Sequence, residues 1–236
     1  MQKADGDAGD KHRHCTPPTV ETAMLTLFDY QPSQNSWKVR QLLHHLGQPH
    51  HTVLVSIFEG EGQHADYLRI SPTGTVPAIR LDDGRTLAES NAILAYLADG
   101  TPYLPTDAFG RAKVQQWLHF EQERVESVIG ALRYWKLTDK LPRRAPALIE
   151  LKRAAARRTL ATLERELATR PFLTGDTYTI ADIAVFAYGS RAEEAGLSLE
   201  AHPHVRAWIA RVEAQPGFLA EMHPYDEDPH SSNELP

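Results

Sequence analysis

MLTLFDYQPSQNSWKVRQLLHHLG, residues 24–47, decides how the rest of the chain is read. Met24 to Tyr30 is a strand-like run, apolar at Leu25, Leu27 and Phe28, and the polar turn Gln31-Pro32-Ser33-Gln34-Asn35 follows it. Val39, Leu42, Leu43 and Leu46 then recur at i, i+3, i+4 and i+7, which predicts an amphipathic helix. Gly47 supplies its stop signal. Ser33 thus stands where a strand hands over to a helix N-terminus, a place where backbone N–H groups and the helix dipole stabilise an anion. Ser33-Gln34-Asn35-Ser36 offers hydroxyls and an amide but no sulfur. Thiol chemistry at this turn therefore needs a thiol that arrives with a ligand.

Working outward, His51 to Val55 predicts a second strand, a loop carries Gly60 and Gly62, and a short helix spans His64 to Leu68. Val76 to Leu81 and Arg85 to Ala88 predict two strands joined by the hairpin turn Asp82-Asp83-Gly84. A helix starts near Glu89, with Ile93, Leu94 and Leu97 on one face. The order βαβ–α–ββ–α over residues 24–98 predicts one small α/β domain. Gly100, Pro102 and Pro105 mark residues 99–107 as a linker. Residues 108–222 read as helical throughout. One long helix covers about 108–138 and a second about 147–169; a third begins at Thr179-Ile180-Ala181-Asp182, a capping box with Asp in place of Glu, and a fourth near His202. Residues 1–23 and the acidic residues 223–236 are expected to be a flexible leader and a flexible tail.

Composition narrows the function classes. The 236 residues carry a formal net charge of −6 with both signs interspersed, so no nucleic-acid partner is expected. No apolar run approaches the roughly 20 residues of a membrane span, and no apolar segment follows the start as a secretion signal would. A cytoplasmic protein without a membrane partner is the expectation. The single cysteine, Cys15, excludes an intramolecular disulfide and reads as incidental. His12 and His14 in the leader are weak metal candidates, and no metal is expected.

Three local features could carry chemistry. Ser33 has a plain reading as an N-cap, contributing about 1 kcal/mol to stability. Thr75-Val76-Pro77-Ala78 puts a proline inside a strand, which fits a sheet edge or a bend. A cis Val76–Pro77 bond would instead turn the Val76 N–H and C=O toward an extended, peptide-like ligand. Glu89-Ser90-Asn91 opens a helix; beyond capping it, Ser90 could hold a carboxylate and Glu89 an ammonium group. Each bland reading wins singly. Together, in this order on one small domain, the three suit a ligand with a peptide backbone and an α-amino acid head.

That combination resembles the cytosolic glutathione transferase superfamily over about residues 24–222. The matching segments are Ser33-x-Asn35-x-x-Lys38-Val39-Arg40, Ser71-Pro72-x-Gly74-x-Val76-Pro77-Ala78, and Leu87-x-Glu89-Ser90-x-Ala92-Ile93-x-x-Tyr96-Leu97. In the helical part, Phe172-Leu173-x-Gly175-Asp176-x-Tyr178-Thr179-Ile180-Ala181-Asp182-Ile183 is similar to the family's capping-box segment.

The resemblance implies an α/β thioredoxin-like N-terminal domain followed by an all-α C-terminal domain, with glutathione as substrate. It implies that Ser33 serves the glutathione sulfur with help from Asn35, as in serine-type theta- and nu-like members; Tyr30 is the tyrosine-type alternative. Thr75, Val76 and Pro77 would take the cysteinyl backbone, and Glu89 and Ser90 the γ-glutamyl end. For the glycine carboxylate it offers His64, then His51 or Lys38. Trp117, Phe120, Tyr134 and Trp135 are candidate liners of a pocket for a hydrophobic electrophile. A homodimer is implied as well. The activity expected is attack of the glutathione thiolate on such electrophiles. The alternatives are glutathione-dependent disulfide reduction, as in nu-like members, and a non-catalytic interaction domain.

Overall fold

The computed structural model describes residues 24–235; the leader, with Cys15, His12 and His14, lies outside them. The N-terminal part is a mixed sheet of four strands in the order β2-β1-β3-β4. β1 (Leu25–Asp29) pairs parallel with β2 (His50–Leu54) and antiparallel with β3 (Ala78–Arg80), and β3 pairs antiparallel with β4 (Thr86–Ala88). Helices α1 (Gln34–Leu46), α2 (Ala65–Leu68) and α3 (Ser90–Leu97) complete this thioredoxin-like domain. The ladder starts at Ala78, so the cis Val76–Pro77 bond sits just ahead of the first paired residue.

The rest is helical: α4 (Ala108–Phe120), α5 (Ala131–Leu137), α6 (Pro146–Leu167), α7 (Ile180–Gly189) and α8 (Pro203–Glu213). α4 and α5 form the predicted long helix, but Glu121–Gly130 between them is π-wound. That winding brings residues five apart onto one face, which aligns Glu121 with Glu126. The capping box at α7 forms in full: the Thr179 N–H donates to Asp182 Oδ2 at 3.1 Å, and the Thr179 hydroxyl accepts from the Ala181 N–H at 3.3 Å.

α1 is buried on two faces, where its apolar stripe predicts one. Val39 and Leu43 pack with Leu25, Leu27, Ile79 and Ile93 of the sheet and α3. Trp37 and Leu42 face the helical domain, and the Trp37 indole lies 5.4 Å from the Phe186 ring and donates to the Leu219 carbonyl. The handover from β1 to α1 is clamped by Arg40, whose guanidinium bonds both Asp29 carboxylate oxygens and the Gln31 carbonyl.

Residues 223–235 differ from the expected flexible tail. They fold back across both domains as a strap. The Tyr30 hydroxyl donates to Asp228 at 2.9 Å, Lys140 donates to the Ser231 carbonyl at 2.6 Å, and Arg144 pairs with Glu234 at 2.7 Å. Of the charges that suggested a solvated segment, Asp228 and Glu234 are partners for groups elsewhere in the fold.

Candidate active site

A cavity of ≈ 400 Å³ opens between the two domains. Its α/β side is built by Tyr30 and Ser33 at the end of β1, Asn35 in the first turn of α1, Phe58 and Gln63, and the run Thr73-Gly74-Thr75-Val76. The helical side brings Glu126, Ser127, Gly130 and Tyr134 from the π-wound stretch and α5, with Tyr188 of α7. Tyr225 and Leu235 of the strap close the rest.

Ser33 is the N-cap of α1. Its Oγ accepts from the Ser36 N–H at 3.3 Å, which leaves its own hydrogen to give. Behind Ser33 and Asn35 runs a buried polar chain. The Lys38 ammonium, with no exposure, pairs with Glu121 at 2.8 Å and lies 3.7 Å from Glu126. It also donates to Ser90 Oγ at 3.4 Å; Ser90 donates to Asn35 Oδ1 at 3.3 Å, and Asn35 Nδ2 donates to Glu126 at 2.7 Å. The Asn35 amide is thus held in one orientation at the cavity floor. Burial pushes the Glu121 carboxyl above its ordinary range, and the Lys38 charge opposes that rise.

Glu89, at the N-terminus of α3, has φ 70°, a left-handed conformation that side-chain-bearing residues adopt rarely. Such outliers gather at functional sites, so the strain makes Glu89 a candidate ligand-binding residue. Gly130 has a packing reason: a Cβ there would stand 2.9 Å from Tyr188 ring atoms. Gly130→Ala is therefore expected to push Tyr188 into the cavity and to cost about 1–3 kcal/mol in stability. Chemical denaturation checks the cost, and ligand affinity checks the narrowing.

Two family models match the chain: the glutathione S-transferase N-terminal domain over residues 32–99 and the glutathione S-transferase C-terminal domain over residues 146–211. Glutathione S-transferase 3 of Zea mays is 30% identical over 207 residues, which cover 83% of this chain and 92% of that one. The chain belongs to the cytosolic glutathione S-transferase superfamily. It is also 28% identical over 200 residues to a disulfide-bond oxidoreductase of Escherichia coli, covering 82% of this chain and 92% of that protein. A glutathione transferase family member from Pseudomonas fluorescens, solved with two glutathione molecules bound, superposes with a TM-score of 0.73 at 27% identity, covering 85% and 92% of the two chains.

Against this transferase frame the expected site residues divide. Ser33, Asn35, Thr75, Val76 and Tyr134 line the cavity. Pro77 and Ser90 stand directly behind Val76 and Asn35, and Glu89 is exposed at the start of α3. Lys38 is a correction: it is fully buried and bound to Glu121, because the second face of α1 is covered by the helical domain, so it does not meet a substrate carboxylate. His64 is exposed before α2 and does not line the cavity, whereas its neighbour Gln63 does; His51 is exposed on the edge strand β2. Trp117 and Phe120 pack edge to face, their centroids 5.1 Å apart, with Trp117 in the helical core. The Trp135 ring carries Arg144 and Lys152 over its face and is not among the lining residues. Ser127, Gly130 and Tyr134 recur at i, i+3 and i+7 and so share the one helical face that meets the cavity.

Tyr188, Tyr225, Phe58 and Glu126 also line the cavity and were not anticipated. Only the aromatic spacing in α7 and the lone Tyr225 in a polar stretch could have signalled them. Among the described residues there is no group of three or more His, Cys, Asp or Glu side chains able to hold a metal, and no helix long and apolar enough to cross a membrane.

Proposed function

We propose that this transferase binds glutathione along Val76, with the γ-glutamyl end toward Glu89 and Ser90, and lowers the thiol pKa with the Ser33 hydroxyl for attack on a hydrophobic electrophile. The observation that carries the reading is Ser33: a hydroxyl with its hydrogen to give, at the N-terminus of α1, in the cavity that Val76 shares.

The energetics suffice. A free thiol with pKa near about 8.5 is only a few per cent thiolate at neutral pH. Lowering it by about two units takes ~2.7 kcal/mol of differential stabilisation. One hydrogen bond to a charged sulfur supplies roughly 1.5–3 kcal/mol, and the helix N-terminus adds about 0.3–1. No protein base is required.

Ser33→Ala is expected to lower kcat about tenfold to a hundredfold while leaving the glutathione KM nearly unchanged, since the lost bond is worth more to the thiolate than to the thiol. Unchanged turnover would remove Ser33 from the role. Ser90→Ala should do the reverse, raising the glutathione KM severalfold with kcat held, because it touches the ligand's head group and the Asn35 support. The electrophile would lie against Tyr134, Tyr188 and Phe58. We read the enzyme as a cytoplasmic homodimer, on the family resemblance.

A second reading, glutathione-dependent disulfide reduction, is favoured by the disulfide-bond oxidoreductase relative and by the related structure that holds two glutathione molecules. Turnover of a small disulfide, measured beside conjugation of an aromatic electrophile on one preparation, separates the two.

A further inference from the structure

Besides closing part of the cavity wall, the strap holds one of the site's own hydroxyls. Tyr30 lies in the same cavity as Ser33, and its phenolic O–H donates to Asp228 Oδ2 at 2.9 Å. A phenol has one hydrogen, so with Asp228 in place Tyr30 shows the cavity an oxygen lone pair, which repels a thiolate. Ser33 has the opposite arrangement, accepting from Ser36 and keeping its hydrogen. Burial first, and then the Asp228 bond, push the Tyr30 hydroxyl well above the ordinary tyrosine range.

Asp228 is itself fixed. Its other carboxylate oxygen accepts from the His230 N–H at 2.8 Å, and its own N–H donates to the Tyr225 carbonyl at 3.1 Å. The Tyr225 ring packs 6.4 Å from Tyr30 and 5.9 Å from Tyr134, with the Arg133 guanidinium 5.6 Å from its centre. His230 faces Glu59 at 3.4 Å across the outer side of the strap. The C-terminal end of the strap is tied to the helical domain by Lys140, at the Ser231 carbonyl, and by Arg144, at Glu234.

We propose that Asp228 is a positioning residue: by taking the Tyr30 hydrogen, it leaves Ser33 as the donor to the glutathione sulfur. Two donors end at one turn, and the strap decides which of them serves. Released from Asp228, Tyr30 becomes a donor in its own right, and the stronger one, since a phenol is far more acidic than an aliphatic alcohol. The inference rests on the thiolate activation proposed above.

The test is the pH titration of thiolate absorbance of glutathione bound to the full chain, in a set of variants. Ser33→Ala should raise the bound thiol pKa. Adding Asp228→Ala should bring it back down by about one unit or more, the size of shift that one hydrogen bond to a charged sulfur gives. Adding Tyr30→Phe to that pair should cancel the recovery. A merely structural strap would alter glutathione affinity without lowering the thiol pKa. No recovery in the Asp228-substituted chain, or a recovery that survives Tyr30→Phe, overturns the assignment. A parent protein whose bound thiol is unshifted overturns the proposed function instead, and this inference with it.

Discussion

Lys38→Met is expected to destabilise the protein by about 3–5 kcal/mol, the range for breaking a buried ion pair by removing one partner. The ammonium is fully buried and faces two carboxylates, Glu121 at 2.8 Å and Glu126 at 3.7 Å. Without it Glu121, also buried, keeps only the Asn91 amide at 2.8 Å against its charge. The carboxyl already titrates above its ordinary value through burial, and losing Lys38 moves it further up. The folded state then takes up a proton before the unfolded chain does, so the variant should regain stability as pH falls and lose it as pH rises. Denaturant midpoints at acidic and neutral pH measure this. Lys38→Met/Glu121→Leu should recover part of the loss, since replacing both partners removes the uncompensated charge. The site would feel the single change too: Ser90 and Asn35 lose the group that orients them, so the glutathione KM should rise. A Lys38→Met protein as stable as the parent at neutral pH would contradict the role given to this cluster.

Asp182→Ala should cost a comparable amount, about 4 kcal/mol, because several buried donors lose their acceptor at once. The carboxylate accepts from the Leu173 N–H at 2.9 Å, the Thr179 N–H at 3.1 Å and the Trp208 indole at 3.0 Å. It therefore caps α7, fixes the loop before it and anchors α8. Burial pushes the carboxyl up to about 6 from an ordinary 3.8. Between those pH values the folded state holds more protons than the unfolded one, so this group makes stability fall as pH rises through that window. Asp182→Asn should flatten that slope and cost less than Ala, since an amide keeps one acceptor oxygen. Thermal or denaturant unfolding across the window reads both effects. A slope unchanged in the Asn variant would assign the pH dependence to another group.

The parts of the fold that could be read from sequence are those set by neighbours in the chain. The Leu25–Gly47 strand, turn and helix follow from periodicity, an N-cap and a C-cap glycine. The Thr179–Asp182 box follows from short-range spacing, and Val76-Pro77 from proline's missing N–H. What could not be read depends on distant partners. An apolar stripe reports one buried face, so Lys38 on the second face of α1 looked like a free cation; its carboxylates lie far along the chain and align only because Glu121–Gly130 is π-wound. Which face of α5 meets the cavity, that of Tyr134 and not that of Trp135, is likewise set by packing against the rest of the fold. The strap is polar at every turn, and composition alone has no means of matching Asp228 to Tyr30 or Glu234 to Arg144.

The central claim, that Ser33 holds the glutathione sulfur as a thiolate, is tested most directly by the thiol pKa of bound glutathione in the parent protein and in Ser33→Ala. The expected value is about two units below that of the free thiol in the parent, with a return by one unit or more in the variant, as loss of one charge-assisted hydrogen bond requires. The same bound-thiol pKa in both proteins would contradict it.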